Sequence, residues 1–282
     1  MYLIQFFNAL QFSMTLFLLA AGLTIIFGLM KIVNLAHGSL YMIGAYIGLS
    51  IWTFSSSFWL ALIFAPIFTA LIGYLLYQVL FRHIQIADPM RQVLLTFGLI
   101  YIGLDSVRLF WGTMSHSISA PSILSNSILV LGESYPSYRL FVIFIGIVTA
   151  TVLYIFIEKT KIGAQVRASV DDPEMAKLLR IDTDKILLYM FALGCGLAGL
   201  AGITVAPILG VEPGMDMEVL VLTLIVVVVG GPGSLKGAFF GSLLIGFVDS
   251  YGKVYIPEVA QIIIYAVMAI TLLLKPKGLY GR

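Results

Sequence analysis

The chain has 282 residues, of which 60% are hydrophobic and 11% charged, and its mean hydropathy is +1.05. Soluble domains carry roughly 25% charged residues to keep their surfaces hydrated, so this composition excludes an ordinary soluble domain. The net charge of +2 leaves no basic face for nucleic acid. Apolar runs cover residues 8–30, 37–54, 58–81, 93–112, 139–157, 186–209, 217–231, 237–250 and 259–274. They are apolar on every face, as helices among lipid and other helices are, whereas the strands of a membrane barrel alternate in segments of about ten. A spanning helix uses about 20 residues. The expectation is an all-α, polytopic fold of eight or nine membrane segments, one integral domain over residues 1–282. Met1–Asn8 has neither Lys nor Arg and no small-residue cleavage pattern follows, so the first run reads as retained rather than as a signal peptide.

The first run gives way to a glycine-interrupted stretch, Gly28-Leu29-Met30-Lys31-Ile32-Val33-Asn34-Leu35-Ala36-His37-Gly38-Ser39-Leu40. Asn34 and His37 are three apart beside this break, where a polar pair serves either a solute or a neighbouring helix. Farther on, Asp105 and Arg108 share one helical face near the end of their span and read as a structural bridge. The connection 113–138 is rich in Ser and Pro. The connection 158–185 is charged, with six basic and six acidic residues, a balance that suits a protein contact better than a lipid anchor. Within it Asp171-Asp172-Pro173-Glu174 is a helix start, with Asp172 as cap, Pro173 in the first position and Glu174 complementing the dipole. A short helix is predicted from Pro173 to about Arg180, with Met175, Leu178 and Leu179 covering one side. It is either a solvated loop helix or a docking helix for a cytoplasmic subunit.

Toward the C-terminus, Gly194, Ala198 and Gly202 repeat at helix-packing intervals, and Cys195 among them is a small packing residue. Glu212, Asp216 and Glu218 make the 211–218 connection acidic, either to meet a soluble partner or to stay hydrated. Gly230-Gly231-Pro232-Gly233-Ser234-Leu235-Lys236-Gly237 then separates the two shortest apolar runs, predicted not to span individually. Broken helices near both ends of a chain point to a translocation path, because irregular backbone at membrane depth is tolerated where it lines a cavity. The shared Gly-Ser-Leu is weak support for a repeat.

Orientation follows from Lys and Arg. With 158–185 on the cytoplasmic side, that side receives Lys31, Arg82, Arg91, six residues of the connection, Lys236, Lys275, Lys277 and Arg282, against Arg139 and Lys253 outside. The N-terminus is therefore expected outside and the C-terminus inside. Enzymatic signals are missing: the glycine-rich stretch has the wrong order for a phosphate loop, and neither a nucleophile elbow nor His-Glu-x-x-His is present. The three histidines stand apart from Cys and carboxylates, so no metal site is readable. With Asp105 the clear intramembrane carboxylate, a proton relay is poorly supported. Two rivals stay open, an ion-coupled secondary transporter of a small polar solute and, less favoured, a membrane enzyme.

Three motifs carry a resemblance. Gly22-Leu23-Thr24-Ile25-Ile26-Phe27-Gly28 with Asn34-Leu35-Ala36-His37-Gly38 resembles the N-terminal signature of the membrane permeases of branched-chain amino acid ABC importers. Thr160 to Ala168, continuing from Asp172 to Ile181, is similar to that family's ATPase-coupling loop, and Gly230 to Ala238 to its C-terminal glycine motif. The matches occur in family order over about residues 20 to 280. The resemblance implies a multi-pass pore subunit of the bacterial inner membrane, for branched-chain amino acids or for related solutes such as urea, amides and other acids. It would pair with a second related permease or a copy of itself. Two cytoplasmic ATPases would use ATP and Mg, an extracytoplasmic binding protein would deliver substrate, and this chain would bind no cofactor. By the same resemblance Asn34, His37, Gly38, Gly230, Gly231, Gly233 and Ser234 lie near the substrate pathway. Gly163, Arg167, Ala168, Asp172, Pro173, Glu174, Ala176 and Leu179 serve coupling. The stretch Pro207 to Met217 is more acidic than the family pattern.

Overall fold

The computed structural model describes residues 2–30, 34–83, 89–130 and 132–281. Lys31 and Arg282, two of the cytoplasmic charges, and Ile32 and Val33 of the first motif lie outside them. Eleven α-helices make up the described chain: α1 (Tyr2–Met30), α2 (His37–Ser55), α3 (Phe58–Val79), α4 (Pro89–Trp111), α5 (Ser137–Lys159), α6 (Lys161–Asp171), α7 (Pro173–Leu178), α8 (Thr183–Leu209), α9 (Met215–Gly230), α10 (Leu235–Tyr255) and α11 (Ala260–Leu274). Six helices are long and apolar enough to cross a membrane: α1, α3 with its 3-10 extension to His83, α4, α5, α8, and α11 from Pro257.

Burial separates the centre of the bundle from its rim. In α1 83% of the most apolar window is buried and in α8 67%, against 22% in α3 and α5 and 17% in α11. Thus α1 and α8 form the inner pair, while α3, α4, α5 and α11 turn large apolar side chains such as Phe64, Ile102, Phe144 and Leu273 outward, as lipid-facing helices do. Small residues set the inner spacing. Gly22 and Gly194 leave the α1 and α8 backbones in contact, and Gly44 meets Gly199 between α2 and α8. Small residues permit this approach, and dispersion between the close backbones then holds the helices in a setting where lipid removes the hydrophobic drive.

One face of the bundle carries Tyr2 and the connection between α4 and α5; the other carries α6, α7 and the turn between α9 and α10. On the first face a short hairpin accompanies the helices of this all-α fold. Ser127–Val130 pairs antiparallel with Glu133–Pro136, with Ile128 opposite Tyr135. The strand former run Ile128-Leu129-Val130 and Gly132, at φ +89°, supply the hairpin chemistry. Buried Tyr135 donates its hydroxyl to Asn8 Oδ1 at 3.1 Å, and Arg139 Nη1 donates to the same oxygen at 2.6 Å, fastening the hairpin to α1.

The second of the two supposedly short runs is also longer than predicted. Whereas α9 has 16 residues, α10 has 21, about 32 Å and enough to cross a hydrocarbon core. Its apolar run ends at 250, just past Asp249, yet the helix continues to Tyr255. Asp249, 3% exposed, accepts an ion pair from Lys253 Nζ at 2.8 Å one turn later, so the charge is neutralised within the helix. At the other end Ser234 caps α10 by accepting from Gly237 N–H at 3.1 Å.

Candidate functional site

The chain after Met30 does not start its second helix at the bundle surface. His37 Nε2 lies 3.1 Å from Leu19 O, a level about 16 Å back along α1 from Met30 at 1.5 Å per residue. The first turn of α2 is therefore inside the bundle, and Asn34 accepts from His37 N–H at 3.1 Å as the chain turns into it. The turn at residues 34–36 leads directly into it, while the stretch just before, 31–33, lies outside the described residues. A carbonyl only accepts, so His37 Nε2 carries the proton and Nδ1 is left an acceptor without a partner.

The first turn of α2 faces the start of α9. A Cβ on Gly38 would lie 2.8 Å from Asp216 O and 3.0 Å from Leu220 Cβ, so glycine is what lets the two helix starts touch. Beside it Ser39 Oγ donates to Asp216 Oδ2 at 2.9 Å. One turn on, Met42 Sδ accepts from Gly214 N–H at 3.4 Å. Asp216 is 2% exposed. That overturns its reading as a hydrated or partner-facing acid: α9 begins beside α2, while Glu212 and Gly214 just before it stay exposed.

Several buried polar groups here have no hydrogen-bond partner: Thr24 Oγ1, both amide atoms of Asn34, His37 Nδ1 and Asp216 Oδ1. Each unmade bond costs about 1–3 kcal/mol, which makes these groups candidates for satisfaction by a passing solute. Their chemistry is hydrogen bonding and charge pairing; no nucleophile with a base stands among them. Among the described residues no group of three His, Cys, Asp or Glu is placed to hold a metal ion.

The sequence-predicted pathway residues fall into two places. Asn34, His37 and Gly38 sit at the α1–α2–α9 junction. Gly230, Gly231, Gly233 and Ser234 lie at the other end of α9, about 20 Å away along its axis. There Gly230 packs against the Gly237 backbone, and Gly231, at φ +103°, touches Gly281. The C-terminal tail closes over this turn, with Leu279 N–H donating to Val229 O at 2.8 Å and Tyr280 N–H to Gly230 O at 2.9 Å. The partner of the C-terminal glycine motif in the first stretch is Gly28, not Asn34 or Gly38: a Cβ on Gly28 would be 3.0 Å from Gly233 Cα. Gly233 and Ser234 line a cavity of about 660 Å³ that Thr24 and Gly28 of α1 and Arg167 of α6 share. One space thus joins the glycine turn to the charged connection.

That connection contains two helices where one was predicted. Thr160 caps α6 by accepting from Gly163 N–H at 3.0 Å, and Gly163 has no room for a side chain against the Phe156 and Ile157 carbonyls. Arg167 folds back, donating to Ile157 O and lying 3.8 Å from Glu158 Oε2. Ala168 O accepts from Asp172 N–H at 3.0 Å, ending α6. Asp172 Oδ1 then caps α7, accepting from Glu174 N–H at 3.1 Å and Met175 N–H at 3.0 Å, and Pro173 takes the first position as predicted.

The second helix stops at Leu178, short of Arg180, because Arg180 adopts φ +59° and Ile181 N–H closes onto Ala176 O at 3.0 Å. Ala176 is its only buried residue. Met175, Leu178 and Leu179, expected to cover one side of the helix, are 53%, 78% and 68% exposed, and Glu174 is exposed beside them. At the start of α8, Asp182 Oδ1 accepts from Lys185 N–H at 3.1 Å and Lys185 Nζ lies 2.9 Å from Oδ2. This hydrogen-bonded ammonium holds the Asp182 carboxyl below the usual carboxylate range. The Asp105–Arg108 bridge is present at 3.6 Å on the exposed side of α4.

Residues 5–272 match the family described as branched-chain amino acid transport system, permease component. The high-affinity branched-chain amino acid transport system permease protein BraD of Pseudomonas aeruginosa is 29% identical over all of this chain and 96% of its own length. LivH of Escherichia coli K12, of the same description, is 26% identical over all of this chain and 96% of its own. A probable branched-chain amino acid transport permease, LivH of Methanocaldococcus jannaschii, is 27% identical over 97% of this chain and 91% of its own. Among solved structures, PsaBC from Streptococcus pneumoniae in complex with Fab superposes with a TM-score of 0.53 at 13% identity, over 97% of this chain and 92% of that one. This last likeness concerns the fold alone.

Proposed function

Because the chain belongs to the branched-chain amino acid transport system permease family, we propose that it is the membrane pore subunit of an ATP-driven importer of branched-chain amino acids. It is a multi-pass protein of the bacterial inner membrane and forms one membrane domain. It pairs with a second permease or a copy of itself, receives its solute from an extracytoplasmic binding protein, and is driven by two cytoplasmic ATPases that hold the ATP and Mg. In our reading the chain crosses the bilayer with its N-terminus outside and its C-terminus inside. The face bearing α6 and α7 is cytoplasmic, and α2, α9 and α10 join the six long helices within the membrane. Lys159, Lys161, Arg167, Lys177, Arg180, Lys185 and Lys236 on that face support the orientation.

One observation carries the coupling role. On a segment of six acidic and six basic residues, α7 and the turn after it leave Met175, Leu178 and Leu179 uncovered, and three adjacent apolar side chains in water favour a groove in a partner. Gly163, Arg167, Ala168, Asp172, Pro173 and Ala176 build and aim this elbow, while Glu174, Leu178 and Leu179 meet the ATPase. The 660 Å³ cavity, shared by Arg167, Gly233 and Ser234, gives motion of the elbow a route to the glycine turn and to α1. Solute passes the α1–α2–α9 junction at Asn34, His37 and Gly38. Reconstitution with the ATPases and receptor tests this reading: leucine should accumulate only with hydrolysable ATP. Accumulation driven by an ion gradient alone, without the ATPases, would establish a secondary transporter instead.

A further inference from the structure

The junction of α2 and α9 holds a carboxylate, Asp216, to which the proposed function assigns no part. Asp216 is 2% exposed, its Oδ2 is held by Ser39 Oγ at 2.9 Å, and its Oδ1 has no hydrogen-bond partner. It makes no ion pair with Lys, Arg or His among the described residues. Being the second residue of α9, it gains from the helix dipole, but a dipole does not fill a lone pair. A carboxylate oxygen accepts, and in such a buried setting an entering cationic donor is the partner that fits it best. Asp249, the other buried aspartate, has such a donor in Lys253 at 2.8 Å; Asp216 does not.

From this contrast we infer that Asp216 is the group of this subunit that receives the ammonium of the transported amino acid, with Oδ1 as the acceptor and Ser39 holding Oδ2 while the site is empty. The inference rests on the amino acid reading above. The surroundings fit such a solute. Gly38 brings the first turn of α2 against the Asp216 backbone, which is what sets Ser39 beside the acid. Met42, three residues after Ser39 on the same side of α2, reaches Gly214 beside the start of α9, and an unbranched thioether adapts to valine, leucine and isoleucine side chains alike.

The test uses the assembled transporter with receptor in proteoliposomes and reads leucine imported per ATP hydrolysed. Asp216→Asn should lower that ratio roughly ten- to a hundredfold, the loss expected for a charge-assisted hydrogen bond. A Ser39→Ala/Asp216→Ala double variant removes both ends of the tie and leaves no orphaned atom, so it keeps the fold; it should show the same loss. Asp105→Asn, on the exposed side of α4, controls for a general effect of removing charge and should match wild type. Wild-type ratios in either Asp216 variant would overturn the inference, as would failure of both to assemble, which would make the pair a packing tie. A wild-type transporter that imports neither leucine, isoleucine nor valine would overturn the substrate reading itself.

Discussion

Gly28 and Gly233, from opposite ends of the sequence, meet backbone to backbone, with 3.0 Å between the position of a Cβ on Gly28 and Gly233 Cα. The contact fixes the inner end of α1 on the turn that joins α9 to α10. Gly233 is held there at φ +80°, a region that costs an L-residue about 1–2 kcal/mol. Gly233→Ala should therefore lower the melting temperature of the detergent-solubilised protein. Gly28→Leu, which must push the turn aside, should lower it further, by about 1–3 kcal/mol of overpacking. Unchanged melting in both variants would argue that the contact is not maintained.

On the proposed coupling role, α7 separates docking from folding. Leu178 and Leu179 are 78% and 68% exposed, so a Leu178→Ala/Leu179→Ala variant should melt like wild type while receptor-stimulated ATP hydrolysis falls at least about fivefold, the loss of roughly 1 kcal/mol or more of buried apolar contact. Glu174→Ala should act in the same direction. Wild-type stimulation in both would remove α7 from the docking surface.

Arg167 is predicted to behave differently. Its guanidinium is spent on Ile157 O and on Glu158 at the end of α5, so Arg167→Ala should loosen α6 by about 1.5 kcal/mol. Amides of α6 should then exchange faster with deuterium, with reduced coupling as a consequence. Loss of coupling with wild-type exchange across 161–171 would show direct contact with the ATPase instead.

The start of α8 should respond to acid. Asp182 is held below the ordinary carboxylate range by Lys185, so its cap contributes fully above that ordinary range. The contribution is lost as pH falls through the lowered value. Exchange at Lys185 N–H should accelerate in that acidic window in wild type, and should be fast and independent of pH-linked capping in Asp182→Ala. Equal protection in the two proteins across the window would refute the assignment.

Asn8 is the peg for the hairpin, accepting from both Tyr135 and Arg139. Asn8→Ala leaves both donors without that acceptor and should make the connection between α4 and α5 markedly more sensitive to limited proteolysis. A wild-type digestion pattern would mean that strand pairing alone holds it.

The apolar helices were legible because hydropathy reports the surrounding solvent directly, and the family motifs were legible because their glycines are fixed by close contacts. What escaped was whatever depends on contacts distant in sequence. Asp216 looked hydrated because its neighbours Glu212 and Glu218 are acidic, and nothing local announces that Ser39 will reach it. In α6 the signal was present, in that Gly163, Val166 and Ser169 are buried at three-residue spacing, but the surrounding charges hid it. The hairpin is likewise written in Ile128-Leu129-Val130 and Gly132, a signal weak beside the much stronger membrane runs. Hydropathy also ended the α10 run at 250, because the charge of Lys253 is counted without the Asp249 it neutralises.

The uncovered Met175, Leu178 and Leu179 have a bearing on the life of the subunit before assembly. On the proposed coupling role, a copy without its companions would display three apolar side chains to water at this bend, the kind of feature that holdase chaperones and quality-control proteases bind. On that reading surplus copies would stay open to removal until a partner covers the bend.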